Sequence, residues 1–451
     1  MMVERGAVPV TSQSAKFHEI ARELAPLGVH GNGRSYEPYP LYFARASGAR
    51  LWDVDGNEYI DLHGGLGPCV LGYNHPEVLQ TVVETLTNQG PHLGLPHPGE
   101  VQLCREFVEL VPCAQKVVLC GGGGSDPCYH AIRLSRAFTG RKKIVKFEGG
   151  QNGWADPLSM SITPSADDAG PADRPNTVAS PGTLPEVVAN TVVLPANNPG
   201  ILQRYFEQEG REVAAVMIEP IMQGMGCVPP EPGYLKLLRQ LCDHYGIVLV
   251  FDEIQTGFRH DLGGAQKLLG VTPDLATFGK AMANGFIISA LTGRRELISM
   301  LQPEGPVHFS GTFNANVLGV HASLKTIEIL KRGGGAIHRR LFELGGILAA
   351  GMNEAIRQHG VKVRLQSVGS VWALYFTDQP VRNYRDLLPL RSGRMAALRQ
   401  AYRYHLMRHG IFVNAHTGNR AFLSAAHTNE DVARVVDATG RFFAEHRAEL
   451  R

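Results

Sequence analysis

The sequence has little net charge and no long apolar run. Its 44 Lys and Arg residues nearly balance its 42 Asp and Glu residues, leaving a formal charge of +2 at pH 7. Because no basic block stands out, we expect neither a nucleic-acid partner nor a membrane-surface partner. No apolar run approaches the ~18–20 residues that span a bilayer. Residues 1–26 lack the apolar centre of a signal peptide. These absences predict a cytoplasmic protein without membrane contact.

Cysteine pairs and metal-ligand motifs are also missing. The seven cysteines form an odd set without CxxC spacing, which predicts reduced thiols and no disulfide framework. The eighteen histidines include no HExxH pair and form no ligand cluster with the cysteines. We therefore predict no metal site.

What the sequence does contain is a regular alternation of strands and helices. From His75 onward, short apolar segments rich in β-branched residues alternate with segments of helical spacing. This alternation predicts an α/β fold with a mainly parallel seven-stranded sheet covered on both faces. The predicted strands are Lys116–Cys120, Lys143–Phe147, Thr191–Leu194, Val213–Glu219, Ile247–Phe251, Leu275–Phe278 and Ala290–Thr292.

Three regions follow from these patterns. We predict an N-terminal segment over residues 1–74 that contributes to a small domain, with a strand, a turn and a strand between Leu41 and Leu62. The large domain spans residues 75–320 and includes a surface loop at 162–190. Residues 321–451 form the rest of the small α+β domain. Its predicted strands are Gly369–Phe376, Ile411–Val413 and Ala421–Ala425.

Two predicted strands end in groups that could act on one ring. Asp252 follows an apolar strand, and a carboxylate there can keep a pyridinium nitrogen protonated, which makes the ring an electron sink. Lys280 follows another strand 28 positions later, where an amine can bond to an aldehyde cofactor and move a proton. Taken singly, the acid could cap a helix and the lysine could lie at the surface.

A glycine run lies between a predicted strand and a predicted helix. Residues 121–126 read Gly-Gly-Gly-Gly-Ser-Asp, and glycines before a helix N-terminus allow backbone N–H groups to surround a phosphate. The alternative is a tight turn. No lysine follows the run, so it is not a nucleotide-binding P-loop.

These motifs together resemble the class III aminotransferase family. The resemblance is carried by FDEIQTGFR at 251–259, TFGKAMANG at 277–285, WDVDGNEYIDL at 52–62, LGYNHPEV at 71–78 and FSGTFNAN at 309–316, and it covers about 41–428. The most similar branches are glutamate-1-semialdehyde aminomutases and β-amino-acid aminotransferases. The resemblance implies a pyridoxal 5'-phosphate (PLP)-dependent transferase of fold type I, acting as a homodimer with shared active sites.

The resemblance also implies roles for individual residues. Lys280 corresponds to the Schiff-base lysine, and Asp252 to the partner of the ring nitrogen. The other cofactor positions are Gln255 near the ring hydroxyl, Gly124 and Ser125 at the phosphate, and Thr312 at the phosphate of the neighbouring subunit. Glu219 occupies the place of a buried glutamate assigned to the substrate side, and Arg34 that of an arginine near the substrate carboxylate.

Two motifs depart from the family: residues 122–126 replace its asparagine-serine-glycine-threonine-glutamate phosphate loop, and residues 151–152 differ as well. Gln151 and Asn152 replace a tyrosine-histidine pair whose aromatic member stacks on the cofactor ring. The change removes stacking worth ~0.5–1.5 kcal/mol and puts an amide beside the ring. Either the amide at Gln151 serves a new contact, or a neighbour such as Trp154 compensates.

Several reactions remain compatible with these residues. The leading hypothesis is amino-group transfer between an amino donor and a carbonyl acceptor, with an amino sugar or unusual amino acid of natural-product biosynthesis as substrate. An aminomutase, an epimerase or an eliminating lyase would use the same lysine and acid. A PLP-binding paralogue without activity is the third hypothesis.

Overall fold

The computed structural model describes residues 10–413 and 420–451. The chain divides into two compact units. The smaller unit contains the described residues up to His75, Arg339–Pro380 and Leu390–Arg451. The larger unit contains Pro76–His338 and Val381–Pro389. The boundary expected at residue 320 therefore falls 18 residues before the division at 338, and a short segment near 385 belongs to the larger unit.

The larger unit is built on a mixed sheet of seven strands. In spatial order the strands are Lys116–Cys120, Ser289–Gly293, Leu275–Phe278, Val248–Asp252, Val213–Ile218, Lys143–Phe147 and Thr191–Leu194. Ser289–Gly293 is antiparallel to both of its neighbours, and the remaining pairs are parallel. The central strands are buried along their whole length, because helices cover both faces of such a sheet. This is the α/β sheet that the sequence predicts.

Some helices of the larger unit connect these strands, and others lie before or after them in the chain. The helices are Pro76–Gln89, Pro98–Leu110, Ser125–Thr139, Asp156–Ser159, Pro185–Ala189, Pro199–Glu209, Tyr234–Tyr245, Gly264–Leu269, Arg295–Ile298 and Tyr384–Leu387, with short 3-10 turns at Gly210–Glu212 and Lys280–Ala283. Helix Ser125–Thr139 packs Ala131 and Ile132 into a buried cluster with Val250 and Leu275 of the central strands. This packing fixes the start of the helix beside the ends of those strands.

The smaller unit has two sheets. One contains Phe43–Ser47, Arg50–Asp53, Glu58–Asp61 and Ile411–Phe412, and the other contains Arg364–Val368, Val371–Tyr375 and Arg420–Phe422. Its helices are Ser12–Leu24, Gly393–Arg408 and Asn429–Glu445, with 3-10 turns at Pro26–Gly28 and Asn32–Arg34. A buried cluster that includes Leu348, Trp372, Leu406 and Phe442 forms its core.

The helix Val317–His359 is broken in its middle. Its backbone leaves the helical region at Arg332, and the next three residues, all glycine, have φ of 57°, 62° and 84°. Glycine adopts this left-handed region without the steric cost that a side chain brings. Among the described residues, no helix has the length and apolarity needed to cross a bilayer.

Candidate active site

The acid and the lysine lie at the ends of neighbouring strands. The acid strand, Val248–Asp252, runs parallel to the lysine strand, Leu275–Phe278, and Asp252 lies opposite Thr277 in their register. Lys280 begins the turn that follows the lysine strand. Because parallel strands end at the same edge, the carboxylate and the amine share one edge of the sheet, where ligands bind in folds of this kind.

Lys280 has an unusual backbone conformation. Its φ is +43°, in the left-handed region that few residues other than glycine adopt. Such a conformation persists only when the surrounding structure enforces it, and it is common where a side chain must be aimed at a ligand. The side chain is half-buried, and its charge is close enough to lower the pKa of Asp252.

Asp252 is buried and held from several sides. Its Oδ2 accepts a hydrogen bond from the Asn152 amide at 2.8 Å, and its Oδ1 accepts from the Ile254 backbone N–H at 3.1 Å. The Thr277 hydroxyl lies 3.4 Å from Oδ1. Burial raises the pKa of Asp252, while the Asn152 amide, the Ile254 N–H and the Lys280 charge oppose that rise.

A buried thiol completes the surroundings of this carboxylate. Cys128 Sγ lies 3.4 Å from the Thr277 hydroxyl, and the thiol also hydrogen-bonds Asp252. Burial raises the pKa of the Cys128 thiol well above its ordinary value, so the thiol stays protonated. It therefore acts as a donor and not as a second negative charge.

The glycine loop, residues 121–124, forms a cradle at the start of helix Ser125–Thr139. The Gly121 N–H donates to Asn314 Oδ1 at 3.0 Å, and the Gly122 N–H bonds the side chain of Asp126. Within the described ranges, no acceptor faces the backbone N–H groups of residues 123, 124 and 125. Three such N–H groups at a helix N-terminus suit an anion.

Close packing joins the glycine loop to the acid strand. A Cβ at Gly124 would lie only 2.7 Å from the Ile254 side chain, so only glycine fits there. The Ser289 hydroxyl donates to the carbonyl oxygens of Gly122 and Gly123 at 3.0 and 3.1 Å. These contacts turn the loop's carbonyl groups towards Ser289.

Ser125 connects the cradle to a second loop. Its Oγ accepts a hydrogen bond from the Trp154 backbone N–H at 3.2 Å. The hydroxyl proton therefore stays available for a ligand. The Trp154 indole is 77% exposed, so in this chain it is the Trp154 backbone that contacts the cradle.

The side-chain oxygen of Gln255 accepts no hydrogen bond from any described residue. The side chain is buried, and within residues 10–413 and 420–451 its Oε1 has no hydrogen-bond partner. An unpaired buried amide oxygen costs free energy, so native proteins satisfy such atoms with water or a ligand. A contact between this oxygen and the ring hydroxyl of a cofactor, which the resemblance implies, stays a prediction.

A segment that departs from the family, residues 148–154, is here called the motif loop. Both oxygens of buried Glu219 accept backbone N–H groups at 2.9 Å, from Gln151 on one side and from Gln223 and Gly224 on the other. Lys146, which is fully buried, donates to the carbonyl oxygen of Gly150 at 3.1 Å. These contacts make Glu219 a positioning group, and its substrate contact stays a prediction.

The two amides of the motif loop have different surroundings. Gln151 is exposed and is held through its backbone N–H. Asn152 is buried and reaches Asp252. A cofactor contact by Gln151 stays a prediction, and the sequence does not predict the contact between Asn152 and Asp252. The replaced motif was the signal, but only the fold shows which amide faces the acid.

Thr312 lies near the glycine loop, because the backbone of the next residue, Phe313, packs against Gly121. Thr312 is exposed and lines a groove of about 900 Å³ beside helix Pro98–Leu110 and the edge strand Lys116–Cys120. Arg34 belongs to the smaller unit. There, burial and the charges of Arg420 and Arg34 lower the pKa of His63 to about 4. A substrate contact by Arg34 stays a prediction.

The site thus combines an anion cradle, a buried carboxylate, an amine and an unpaired amide oxygen at one edge of an α/β sheet. An arrangement of this kind is typical of PLP-dependent enzymes with the transaminase fold. The family model for class III aminotransferases matches residues 32–427, and the chain belongs to this family. Class III aminotransferases use PLP as cofactor.

Individual relatives agree with this assignment. The chain is 38% identical over 429 residues to a glutamate-1-semialdehyde 2,1-aminomutase from Methanopyrus kandleri, covering 94% of this chain and 96% of that protein. It resembles the crystal structure of an omega-transaminase from Sphaerobacter thermophilus with a TM-score of 0.90 and 33% identity, over 96% and 98% of the two chains. A solved transaminase with PLP bound is 28% identical, with a TM-score of 0.86 over 98% and 99%.

Proposed function

We propose that this protein moves an amino group by means of PLP bound at the shared edge of the acid and lysine strands. The observation that carries the proposal is the adjacency of Lys280 and Asp252 at the ends of two paired parallel strands. The two groups have complementary tasks there. A buried carboxylate holds a proton on a ring nitrogen, and an amine bonds to an aldehyde and moves a proton.

The donor set fits the chemical groups of PLP. The free N–H groups of residues 123–125 and the Ser125 hydroxyl suit the phosphate. The unpaired Oε1 of Gln255 suits the ring hydroxyl. Asp252 Oδ2 accepts one hydrogen bond, from Asn152, so the oxygen keeps a lone pair for a ring N–H.

The residues then divide the work as follows. When bound, PLP supplies an aldehyde and a ring that accepts electron density. Asp252 keeps the ring nitrogen protonated. Lys280 would hold the cofactor through its amine. As a free amine it would carry the proton from the amino-bearing carbon of the substrate to the carbon that was the aldehyde, so that the amino group leaves the substrate. The glycine loop anchors the phosphate, so the ring stays fixed while the amine of Lys280 moves.

The same site residues are compatible with two reactions. The amino group can pass to a second molecule, as the name of the Sphaerobacter relative suggests, or return to another carbon of the same molecule, as the name of the Methanopyrus relative suggests. An amino sugar or unusual amino acid of natural-product biosynthesis, and a cytoplasmic location, stay predictions from the sequence alone.

We further propose that the chain works as a homodimer. The groove beside helix Pro98–Leu110 is lined mainly by apolar groups, and Val101 and Val108 of that helix are 53% and 50% exposed. An exposed apolar surface of this kind indicates a protein interface. Thr312 lines the same groove, in keeping with its predicted role at the phosphate of a partner subunit.

Replacement of Lys280 by alanine tests the proposed function. Wild-type protein saturated with PLP should show a visible absorbance band, and borohydride treatment should fix the cofactor on the peptide that contains Lys280. In Lys280→Ala, both the visible band and turnover with a panel of amino donors should be lost. Lys142 is exposed, and its ammonium group has no hydrogen bond within the described chain, so Lys142→Ala is the matched control.

Two results would contradict the proposal. Wild-type turnover by Lys280→Ala would remove this lysine from the mechanism. Absence of a visible band in PLP-saturated wild-type protein would overturn the proposed PLP site, whereas a band without any turnover would support the inactive PLP-binding paralogue. A band that bleaches with an amino donor and returns with a carbonyl acceptor would identify transfer between two molecules.

A further inference from the structure

The amide of Asn152 makes the shortest hydrogen bond that the Asp252 carboxylate accepts. The Nδ2–Oδ2 distance is 2.8 Å, and each residue is only 3% exposed. A hydrogen bond to a charged group is strongest where water is excluded. The contact therefore has more influence on the carboxylate than a surface contact of the same length.

The motif loop is built to hold Asn152 in this place. Glu219 binds the Gln151 N–H, one residue before Asn152, and Lys146 binds the Gly150 carbonyl oxygen, two residues before it. On the other side, the Trp154 N–H is bound by the Ser125 hydroxyl. With hydrogen bonds on both flanks, the Asn152 amide is presented to Asp252 by a fixed backbone.

The Asn152 amide differs from an acidic or basic partner of Asp252 in that it does not titrate. Its N–H groups remain donors at every pH that a folded protein tolerates. The titratable groups around the carboxylate are Cys128 and Lys280, with the Lys146 charge acting from farther away. Asn152 is thus a donor whose strength is independent of pH.

From this geometry we infer that Asn152 is a positioning residue that keeps Asp252 ionised and aimed at the cofactor's ring nitrogen. The inference rests on the proposed function and extends it to a residue that does not itself bind the ring. Without the amide donor, a buried carboxylate is more easily protonated, and a neutral acid cannot hold a second proton on the ring. The ring nitrogen should then lose its proton.

The experiment uses full-length protein saturated with PLP labelled with ¹⁵N in the ring. In the wild type, the ¹⁵N chemical shift should be that of a protonated ring nitrogen from pH 6 to pH 9. Asn152→Leu keeps the volume and removes the donor. We expect its ring nitrogen to shift towards the unprotonated value and its PLP dissociation constant to rise about tenfold or more.

Controls separate this role from a structural one. Asn190→Ala removes an amide that donates to the Glu186 carbonyl oxygen, and it should leave the ¹⁵N shift unchanged. Asn152→Val removes the same donor with a smaller side chain and adds no charge. If Asn152→Leu is not folded by circular dichroism, Asn152→Val carries the test, and its ring nitrogen should also lose protonation.

The possible results are distinct. A folded Asn152 variant that binds PLP with a wild-type ¹⁵N shift would overturn the inference and leave the proposed function intact. A wild-type protein without a visible band would overturn both. A changed ¹⁵N shift in Asn152→Leu or Asn152→Val, with Asn190→Ala unchanged, would support the inference.

Discussion

At the scale of single residues, Asp252 is the group whose charge matters most. It is buried, and its pKa is raised by that burial, so its ionised form depends on the donors around it. This dependence makes the carboxylate sensitive to changes that leave its shape unaltered. Replacing it with the isosteric amide is therefore more informative than deleting it.

We expect Asp252→Asn to lower turnover on the order of a hundredfold or more, because an amide cannot keep the ring nitrogen protonated against a developing carbanion. The fold should persist, since the amide oxygen can still accept the Ile254 N–H. The measurement is kcat with a reactive amino donor, together with the thermal midpoint. Asp243→Asn, at an acid that is 65% exposed, should keep the wild-type rate. A wild-type rate in Asp252→Asn would take this acid out of the mechanism.

The sequence predicted some site residues better than others for a physical reason. Lys280 and Asp252 follow strands, and the pairing of parallel strands brings strand ends together, so sequence spacing was enough to link them. Asn152 and Glu219 act through loops. Which of two neighbouring amides points inward depends on the loop backbone, such as the φ of +123° at Gly153, and spacing does not encode it.

At the scale of secondary-structure elements, strands with buried side chains could be predicted from the sequence, and a half-buried strand could not. The central strands of the large sheet are buried on both faces, so they appear as continuous apolar runs, and the bounds of all seven strands agree with the prediction to within one residue. The strand Arg364–Val368 was missed because every residue in it is half-buried and its side chains do not alternate in polarity. The Leu41–Leu62 region also holds three strands where two were expected.

Lys146 couples the strand Lys143–Phe147 to the motif loop and should give stability a dependence on pH. Burial lowers the pKa of Lys146 to about 7 from an ordinary value of 10.5, although the charges of Glu219 and Glu148 oppose this. Between these two values the unfolded chain binds a proton that the folded chain has released. The contribution of this group to the free energy of unfolding therefore grows as pH rises from about 7, and it is smallest below that.

We expect Lys146→Met to lose this dependence. The difference in free energy of unfolding, wild type minus variant, should increase steadily from pH 7 to pH 9.5 in urea titrations. Loss of the hydrogen bond to the Gly150 carbonyl oxygen lowers stability at every pH and does not change the slope. Lys143→Met is the control in the same strand, because Glu209 and Glu212 raise the pKa of Lys143 and keep it protonated in this range. Parallel slopes for both variants would contradict the assignment to Lys146.

At the scale of the whole molecule, the chain leaves apolar surface exposed on the larger unit. The groove beside helix Pro98–Leu110 is bounded by the edge strand Lys116–Cys120, whose outer side pairs with no other described strand. Edge strands are usually protected from uncontrolled association. A second copy of the chain seated in the groove would cover both the strand edge and the apolar side chains.

The proposed homodimer predicts a specific change in mass when this surface becomes charged. Val101 and Val108 lie two helical turns apart on helix Pro98–Leu110, so both project from one face into the groove. Light scattering should give twice the chain mass for the wild type, and Val101→Glu combined with Val108→Glu should shift the protein towards the monomer. Leu268→Glu, at an exposed leucine outside the groove, should remain dimeric.

If the Thr312 prediction also holds, the monomeric variant should bind PLP more weakly than the dimer, because each site would lose a phosphate contact from its partner. Dilution of the wild type should reproduce that weakening without any substitution. A charged double variant that stays dimeric would show that the groove is not the interface, while a monomeric variant with wild-type PLP affinity would show that each chain holds its cofactor unaided.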